Sequence, residues 1–197
     1  MSTDIRVTNE YQWLDAPSGV HIPTPNELIK LCVAEDPRGY NMGLAYPPEA
    51  PVLWIKYGHS VIWNEIPAQA MAHRELQHLG SPVRVPGIFY ACEMGKPGIT
   101  YNFEVNYKSY IVMEYVSGKT AAKWLESTED PAHKERIYRK VAFALSELHL
   151  IPVPLDARPV ATGGGCIRHC FFDLQEAPRQ YQTTEQLELH LNLINAL

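Results

Sequence analysis

The chain of 197 residues carries a net charge of −5, and its 46% hydrophobic and 20% charged residues are typical of a soluble globular protein rather than a disordered one. It contains no run of basic residues that would attract nucleic acid or an anionic membrane. Since it also has neither a signal-peptide segment nor the roughly 20 consecutive apolar residues of a membrane span, we expect a cytoplasmic protein without nucleic-acid or membrane partners.

The first quarter of the sequence predicts one short helix and one strand. Residues 1–23 are polar and rich in turn formers, and residues 24–32 combine a capping threonine, a first-turn proline and an apolar run, so they predict a helix. Residues 36–50 are interrupted by glycine and proline and are expected to form a loop. Residues 52–57 alternate as a strand does and leave Lys56 on one face.

A strand–loop–helix unit followed by two strands is predicted next. Asn64 is a suitable N-cap, Pro67 falls in the first turn, and apolar positions then line a helix that ends at Gly80. Two apolar runs, residues 83–90 and 107–116, predict strands joined by a connection with glycine and proline. An antiparallel sheet with one crossing helix accommodates these elements.

The remaining sequence predicts three helices around a long loop. Residues 120–127 favour a helix, and residues 130–148 begin with Asp-Pro and carry apolar residues on one helical face. Residues 155–181 show little periodicity and are expected to form a loop. A capping box at 183–186 begins a last helix, 187–197, whose apolar residues surround it. We expect a second copy or a partner chain to cover that helix.

The four cysteines are too few and too scattered for a disulfide framework, and reduced thiols are expected. Cys166, His169 and Cys170 could supply three soft metal ligands within five residues. The sequence offers no second pair of ligands at a suitable spacing. The segment therefore favours a loop with thiols over a metal site.

The stretch Tyr110-Ile-Val-Met-Glu-Tyr-Val-Ser-Gly-Lys-Thr120 has the pattern of a buried strand that ends in a turn and continues as a helix. Together with Val52-Leu-Trp-Ile-Lys-Tyr-Gly58 and Val83-Arg-Val-Pro86, it resembles the fungal aminoglycoside phosphotransferase-like, protein-kinase-like family. The resemblance covers roughly residues 50–190.

The resemblance implies an α+β fold of two parts. A kinase-like N-lobe with an N-terminal extension is expected over residues 1–116, and the hinge with an incomplete helical C-lobe over residues 117–197. The chain then resembles a truncated product, a degenerate gene product or a subunit completed by another chain.

The resemblance implies a nucleotide site built on Lys56, whose ammonium would contact the phosphates of ATP while a helix carboxylate holds its stem. Glu65 is the favoured partner and Glu75 is the rival. From the residues alone, Lys56 is better explained as a solvated strand lysine, and Glu65 is equally well explained as a first-turn carboxylate that favours the helix dipole.

The hinge is expected to bind adenine through main-chain groups of Glu114 and Val116, with Met113 beside the pocket and Val52 and Ile111 as apolar walls. A glycine loop for the phosphates would have to come from Gly39-Tyr-Asn-Met-Gly43, a spacing that is more typical of a plain turn.

The catalytic half of such an enzyme has no counterpart in these residues. No His-x-Asp motif followed by the metal-binding Asn occurs, and no Asp precedes Phe-Gly. The first hypothesis is thus a catalytically incomplete relative, a pseudokinase or a regulatory nucleotide-binding module. The alternatives are an active ATP-dependent small-molecule or protein kinase whose C-lobe is cut away or supplied by another chain, and an interaction domain that binds no nucleotide. Magnesium is expected only where a complete site is formed.

Overall fold

The structure is a computed structural model that describes residues 6–36, 43–58, 61–95, 108–154, 156–169, 172 and 176–195. The chain divides into two units, Met1–Ile151 and Pro152–Leu197. Each unit is described by itself. The predicted boundary after residue 116 refers to a hinge between two lobes and not to the division between these two units. It stays a prediction.

The first unit contains a five-stranded antiparallel sheet with the order β1-β4-β5-β3-β2. Its strands are β1 (Arg6–Gln12), β2 (Gly43–Tyr46), β3 (Leu53–Gly58), β4 (Ile88–Gly95) and β5 (Lys108–Glu114). Helices and sheet together confirm the α+β class. The central strand β5 and its two neighbours β4 and β3 carry the buried residues of the sheet, with Ile55, Ala91 and Ile111 at 0% exposure.

Local capping chemistry explains where the described helices begin. These helices are α1 (Pro25–Glu35), α2 (Glu65–His78), α3 (Ala121–Glu126), α4 (Pro131–His149) and α5 (Thr184–Asn195). Side chains of Thr24, Thr120 and Asp130 accept hydrogen bonds from backbone N–H groups of the first turns of α1, α3 and α4. The predicted starts of these helices are confirmed. Asn64 is the N-cap residue of α2 as predicted, although its side chain makes no capping hydrogen bond.

Two strands lie in segments for which no strand was predicted. β1 falls in the polar segment 1–23, and β2 falls in the predicted loop 36–50, so the loop prediction is wrong for Gly43–Tyr46. Six of the seven β1 residues are exposed and β2 has four residues, so neither strand shows a buried alternation. Hydrogen bonding to β4 and to β3, rather than side-chain pattern, orders them.

The predicted strand at 83–90 is displaced in the structure. β4 begins at Ile88 and continues to Gly95, so residues 83–87 are outside it. Pro86 has no backbone N–H to give to a neighbouring strand, which explains why regular pairing starts after it. The other predicted strand, 107–116, is confirmed for Lys108–Glu114, while Tyr107 lies outside the described residues.

The two faces of the sheet carry separate cores. On one face, Leu53, Ile55 and Tyr57 of β3 cluster with Leu28 and Cys32 of α1. The opposite face belongs to α2, since Ile66 packs there with four sheet residues, Ile88, Ala91, Ile111 and Met113. Alternation along β3 therefore directs Trp54 and Lys56 toward the α2 face.

Tyr57 has a buried hydroxyl that finds no hydrogen-bond partner among the described residues. Its ring is 2% exposed and stacks on Tyr110 with a centroid distance of 6.5 Å. An unpaired buried hydroxyl loses the hydrogen bonds it makes to water in the unfolded chain. We therefore expect Tyr57→Phe to leave the free energy of unfolding unchanged or to raise it by about 1 kcal/mol, as measured by urea denaturation.

Tyr90→Phe is the matched control for this prediction. The Tyr90 hydroxyl donates a 2.7 Å hydrogen bond to Glu10, and its loss is expected to lower the free energy of unfolding by about 1 kcal/mol. If Tyr57→Phe were as destabilising as Tyr90→Phe, the Tyr57 hydroxyl would have a partner, and the prediction would be wrong.

The second unit has a small core of its own. Phe172, Ala177 and Tyr181 are buried, and Leu187, Leu191 and Ile194 of α5 pack against them. The apolar residues of α5 thus include a packed stripe, whereas Leu189 and Leu193 are 62% and 59% exposed. A partner that covers these two leucines stays a prediction. The described part of the predicted loop 155–181 contains no helix and no strand beyond an isolated bridge between Arg168 and Glu176.

Among the helices that the structure describes, none has both the length and the apolar character needed to cross a membrane.

Candidate functional site

The centre of the candidate site is an ion pair between a strand lysine and a helix carboxylate. Lys56 lies on β3, and its Nζ is paired with Oε2 of Glu65, the first residue of α2. The two side chains are 28% and 30% exposed, so the charges lie at the surface between sheet and helix and remain within reach of a ligand. The arrangement fixes the direction of the ammonium group at the end of a long, flexible stem.

The rival carboxylate has other partners. Glu75 accepts from Arg74 at 2.7 Å, and its second oxygen lies 3.9 Å from Nδ1 of His78. Glu75 lies in the C-terminal half of α2 and Glu65 in the first turn, so only the latter is brought to Lys56. A role of the Lys56–Glu65 pair in binding a nucleotide stays a prediction.

Met113 connects the central strand to α2. It is 7% exposed, and Nε2 of Gln69 on α2 donates to its sulfur at 3.4 Å and to the Pro86 carbonyl at 2.8 Å. These contacts fix Met113, the last buried residue of β5 before the chain leaves the sheet. Ile111, predicted as a pocket wall, is 0% exposed and presents no surface to a ligand in this structure, whereas Val52 is 41% exposed.

At the start of the predicted hinge, the first two backbone N–H groups are already hydrogen-bonded within the protein. The Glu114 N–H donates to the Gly87 carbonyl at 2.8 Å, and the Tyr115 N–H donates to the Val52 carbonyl at 3.1 Å. The Glu114 carboxylate turns away to Arg84 at 2.7 Å. Val116 is 64% exposed, and its N–H has no hydrogen-bond partner among the described residues. Val116 is thus the first residue after β5 whose N–H is available to a ligand.

Trp54 is a residue of the site that sequence reasoning did not single out. It lies two positions before Lys56 on the same face of β3, and its ring is 6.5 Å from that of Tyr115. The alternation of β3 contained the signal, because residues two apart share a face of a strand. Its indole also lies against Gly43 of β2, since a Cβ at Gly43 would be 2.5 Å from the ring. This contact depends on the β2–β3 register, which was not available from the sequence.

The predicted phosphate loop is only partly covered by the structure. Residues 39–42 of the Gly39–Gly43 segment lie outside the described residues. Gly43 begins β2 and is the pairing partner of Lys56. The phosphate-binding role of this segment stays a prediction.

A cavity of about 270 Å³ lies on the α1 face of the sheet, away from Lys56. Its walls include Leu14, Ile22 and Phe89, and Tyr90 donates to Glu10 at its rim. Burial, and then this hydrogen bond to Glu10, raises the pKa of Tyr90. The cavity and the ion pair are therefore separate features of the first unit.

No group of three or more His, Cys, Asp or Glu residues is arranged to hold a metal ion within the described ranges. Cys170, one of the three soft ligands considered from the sequence, lies outside those ranges.

Comparisons of the chain with protein-family models, with curated proteins and with solved structures found no significant match. The family resemblance of the sequence therefore stays a prediction, and the function is inferred from the geometry of the site.

Proposed function

We propose that this chain is a kinase-like, catalytically incomplete protein that binds a nucleotide such as ATP at the Lys56–Glu65 pair. The observation that carries the proposal is the pair itself, in which a carboxylate at the first turn of α2 holds the ammonium of the β3 lysine at the surface. In kinases, a strand lysine held by a helix glutamate contacts the α- and β-phosphates of ATP.

The order of the elements adds support. α2 lies between β3 and β4 in the chain, and β5 is hydrogen-bonded to both strands. β5 then leads directly into the segment that carries the Val116 N–H. An ammonium for phosphates and a backbone donor for a base edge are thus attached to neighbouring strands of one sheet.

Phosphoryl transfer is not part of the proposal for residues 1–197 alone. The aspartates of the chain are at positions 4, 15, 36, 130, 156 and 173, and none of them belongs to a His-x-Asp motif. Electrostatic stabilisation by metal ions and a positioned base supplies most of the rate in such reactions. Magnesium would enter with the phosphates of the nucleotide, and among the described residues no group of three or more His, Cys, Asp or Glu side chains is arranged to hold it beforehand.

Thermal unfolding with and without Mg-ATP tests the proposal. A ligand at 100 times its Kd that binds only the folded state stabilises it by about 2.7 kcal/mol, which raises the melting temperature measurably. We expect this shift for the wild-type chain and for Lys30→Met, which replaces an exposed lysine on α1. Lys56→Met is expected to remove the shift, because it deletes the ammonium that meets the phosphates.

The same experiment contains the outcome that overturns the proposal. Equal shifts for Lys56→Met and Lys30→Met would place the nucleotide elsewhere on the chain. No shift in any of the three proteins would leave an interaction domain without nucleotide binding as the better hypothesis.

A further inference from the structure

The cavity on the α1 face lies across the sheet from the Lys56–Glu65 pair and has the make-up of a small-molecule site. Its volume of about 270 Å³ is near the lower end of the roughly 300–1,000 Å³ that such sites occupy. Leu14, Ile22 and Pro23 give it apolar walls, and few polar side chains reach it. A concave, mostly apolar space with a small number of polar groups is typical of a site for a small organic ligand.

A break in the alternation of β4 brings two aromatic rings to this cavity. Neighbouring residues of a regular strand point to opposite faces of the sheet. Ile88 belongs to the core on the α2 face, whereas Phe89 and Tyr90 both belong to the core on the α1 face. The pairing of β4 with β5 shifts register between Ile88 and Tyr90, as it does at a β-bulge. Bulges redirect side chains and are over-represented beside active sites, and here both rings line the cavity.

A carboxylate with one engaged oxygen lies at the rim of the cavity. The Tyr90 hydroxyl donates to Oε1 of Glu10 at 2.7 Å. Because Tyr90 is only 9% exposed, this hydrogen bond holds the carboxylate from inside the protein. Oε2 of Glu10 accepts no hydrogen bond from any residue that the structure describes. It is therefore an acceptor that a donor group in the cavity can use.

The charge that the cavity presents to a ligand is negative. Thr24 and Pro25 at the start of α1 border it, and a helix N-terminus on its own favours anions. Here Glu27 accepts from the Thr24 N–H at 2.7 Å and from its hydroxyl at 2.8 Å, and these hydrogen bonds lower the pKa of Glu27 to about 2. That carboxylate already neutralises the helix start. Among the described residues that line the cavity none is Lys, Arg or His, so Glu10 attracts cations and repels anions there.

We infer that this cavity binds a small organic amine, whose ammonium group donates to Oε2 of Glu10 while its apolar body packs against Leu14 and Phe89. An ammonium group has three donors and no acceptor, so it matches a carboxylate oxygen that has no donor of its own. The aromatic ring of Phe89 adds apolar contact area, and the face of such a ring attracts a nearby cation. The inference does not depend on a nucleotide at Lys56, because the two sites lie on opposite faces of the sheet.

Titration with probes that share one apolar body separates the charge of the ligand from its shape. Phenethylamine, phenethyl alcohol and hydrocinnamate all carry a phenylethyl group and are cationic, neutral and anionic. Heteronuclear NMR of the full chain gives the Kd of each probe and locates it through the amide signals of Leu14 and Ile22. We expect the amine to bind with a Kd of about 1 mM or below, which is accessible to a ligand of roughly ten non-hydrogen atoms. It should bind about threefold or more tightly than the alcohol, and the acid should bind most weakly.

Variants assign the preference to the rim carboxylate. Glu10→Gln removes the charge and keeps an acceptor for the Tyr90 hydroxyl, so the amine should weaken by about threefold to tenfold while the alcohol stays within about twofold. Glu49→Gln is the matched control, since it removes an exposed charge between β2 and β3, and it should change neither affinity. Ala16→Phe places a ring at the exposed rim and should remove the binding of both probes, because it fills the entrance.

Several outcomes would overturn the inference. Equal affinities of the wild-type chain for the amine and the alcohol would remove the role of charge, and this comparison needs no variant to fold well. An amine affinity that Glu10→Gln leaves unchanged would do the same for Glu10. Binding that persists in Ala16→Phe would place the probes outside the cavity. Absence of binding of the amine at millimolar concentration would remove the site and would leave the Mg-ATP experiment unaffected.

Discussion

Replacing Ile66 with alanine is expected to lower the free energy of unfolding by about 2–5 kcal/mol, the range that truncation of a buried isoleucine produces. The side chain is 0% exposed and packs against the centre of the sheet through Ile88, Ile111 and Met113. Alanine leaves a cavity between α2 and the sheet, and the hydrogen-bonded strands below it have little freedom to close it. Urea denaturation followed by circular dichroism measures the loss.

Leu79→Ala is the matched control at the other end of the same helix. Leu79 caps the C-terminus of α2 and is 48% exposed, so its truncation removes little buried area and is expected to cost less than about 1 kcal/mol. Equal losses for the two variants would show that α2 is not anchored through its first turn. Because Glu65 and Ile66 are consecutive, that anchor also keeps the Glu65 carboxylate beside Lys56.

The helix starts were predictable because their causes are local. Thr24 accepts from the Glu27 N–H, and the Glu27 carboxylate accepts in return from the Thr24 N–H at 2.7 Å, all within four residues. At α4, the Asp130 side chain accepts from the Ala132 N–H and Pro131 is the first residue of the helix, again within a few residues. Such signals need no knowledge of the rest of the fold.

The edge strands were not predictable because their causes are distant. Arg6 pairs with Gly95, and Gln12 pairs with Tyr90, so β1 depends on a strand some 80 residues away. Its residues are mostly exposed, and the sequence therefore contains no apolar alternation to reveal it. β2 is likewise defined by its pairing with β3. Hydrogen-bond pairing with a remote strand leaves no local trace in composition.

The contacts of the candidate site show the same difference between local and distant causes. The lysine and its carboxylate are nine residues apart, and the similarity of this spacing to that of the kinase-like family favoured Glu65 as the partner of Lys56. The contact of Trp54 with Gly43 depends on the register of β2 against β3, which the sequence does not specify. A contact within one strand–helix unit could be predicted from the sequence, whereas a contact that depends on strand pairing could not.

Replacing Gly43 with alanine is expected to lower the free energy of unfolding by about 1–3 kcal/mol, the usual cost of inserting a methyl group into a packed region. The new Cβ would lie 2.5, 2.6 and 2.7 Å from Cζ2, Cε2 and Nε1 of Trp54. These atoms belong to one rigid ring, so the whole indole has to leave the position in which it packs beside Met113. The expected sign is opposite to that of an ordinary strand glycine, where alanine stabilises by about 0.5–1 kcal/mol.

A double-mutant cycle with Trp54→Leu attributes this cost to the indole. Leucine does not reach the ring atoms that meet the Cβ, so Gly43→Ala in that background should become neutral or stabilising, with a coupling energy of about 1–3 kcal/mol. The same loss in both backgrounds would assign the cost to the β2 backbone and would contradict the prediction. A matching change in tryptophan emission, seen in Gly43→Ala alone, would show that the indole itself moves.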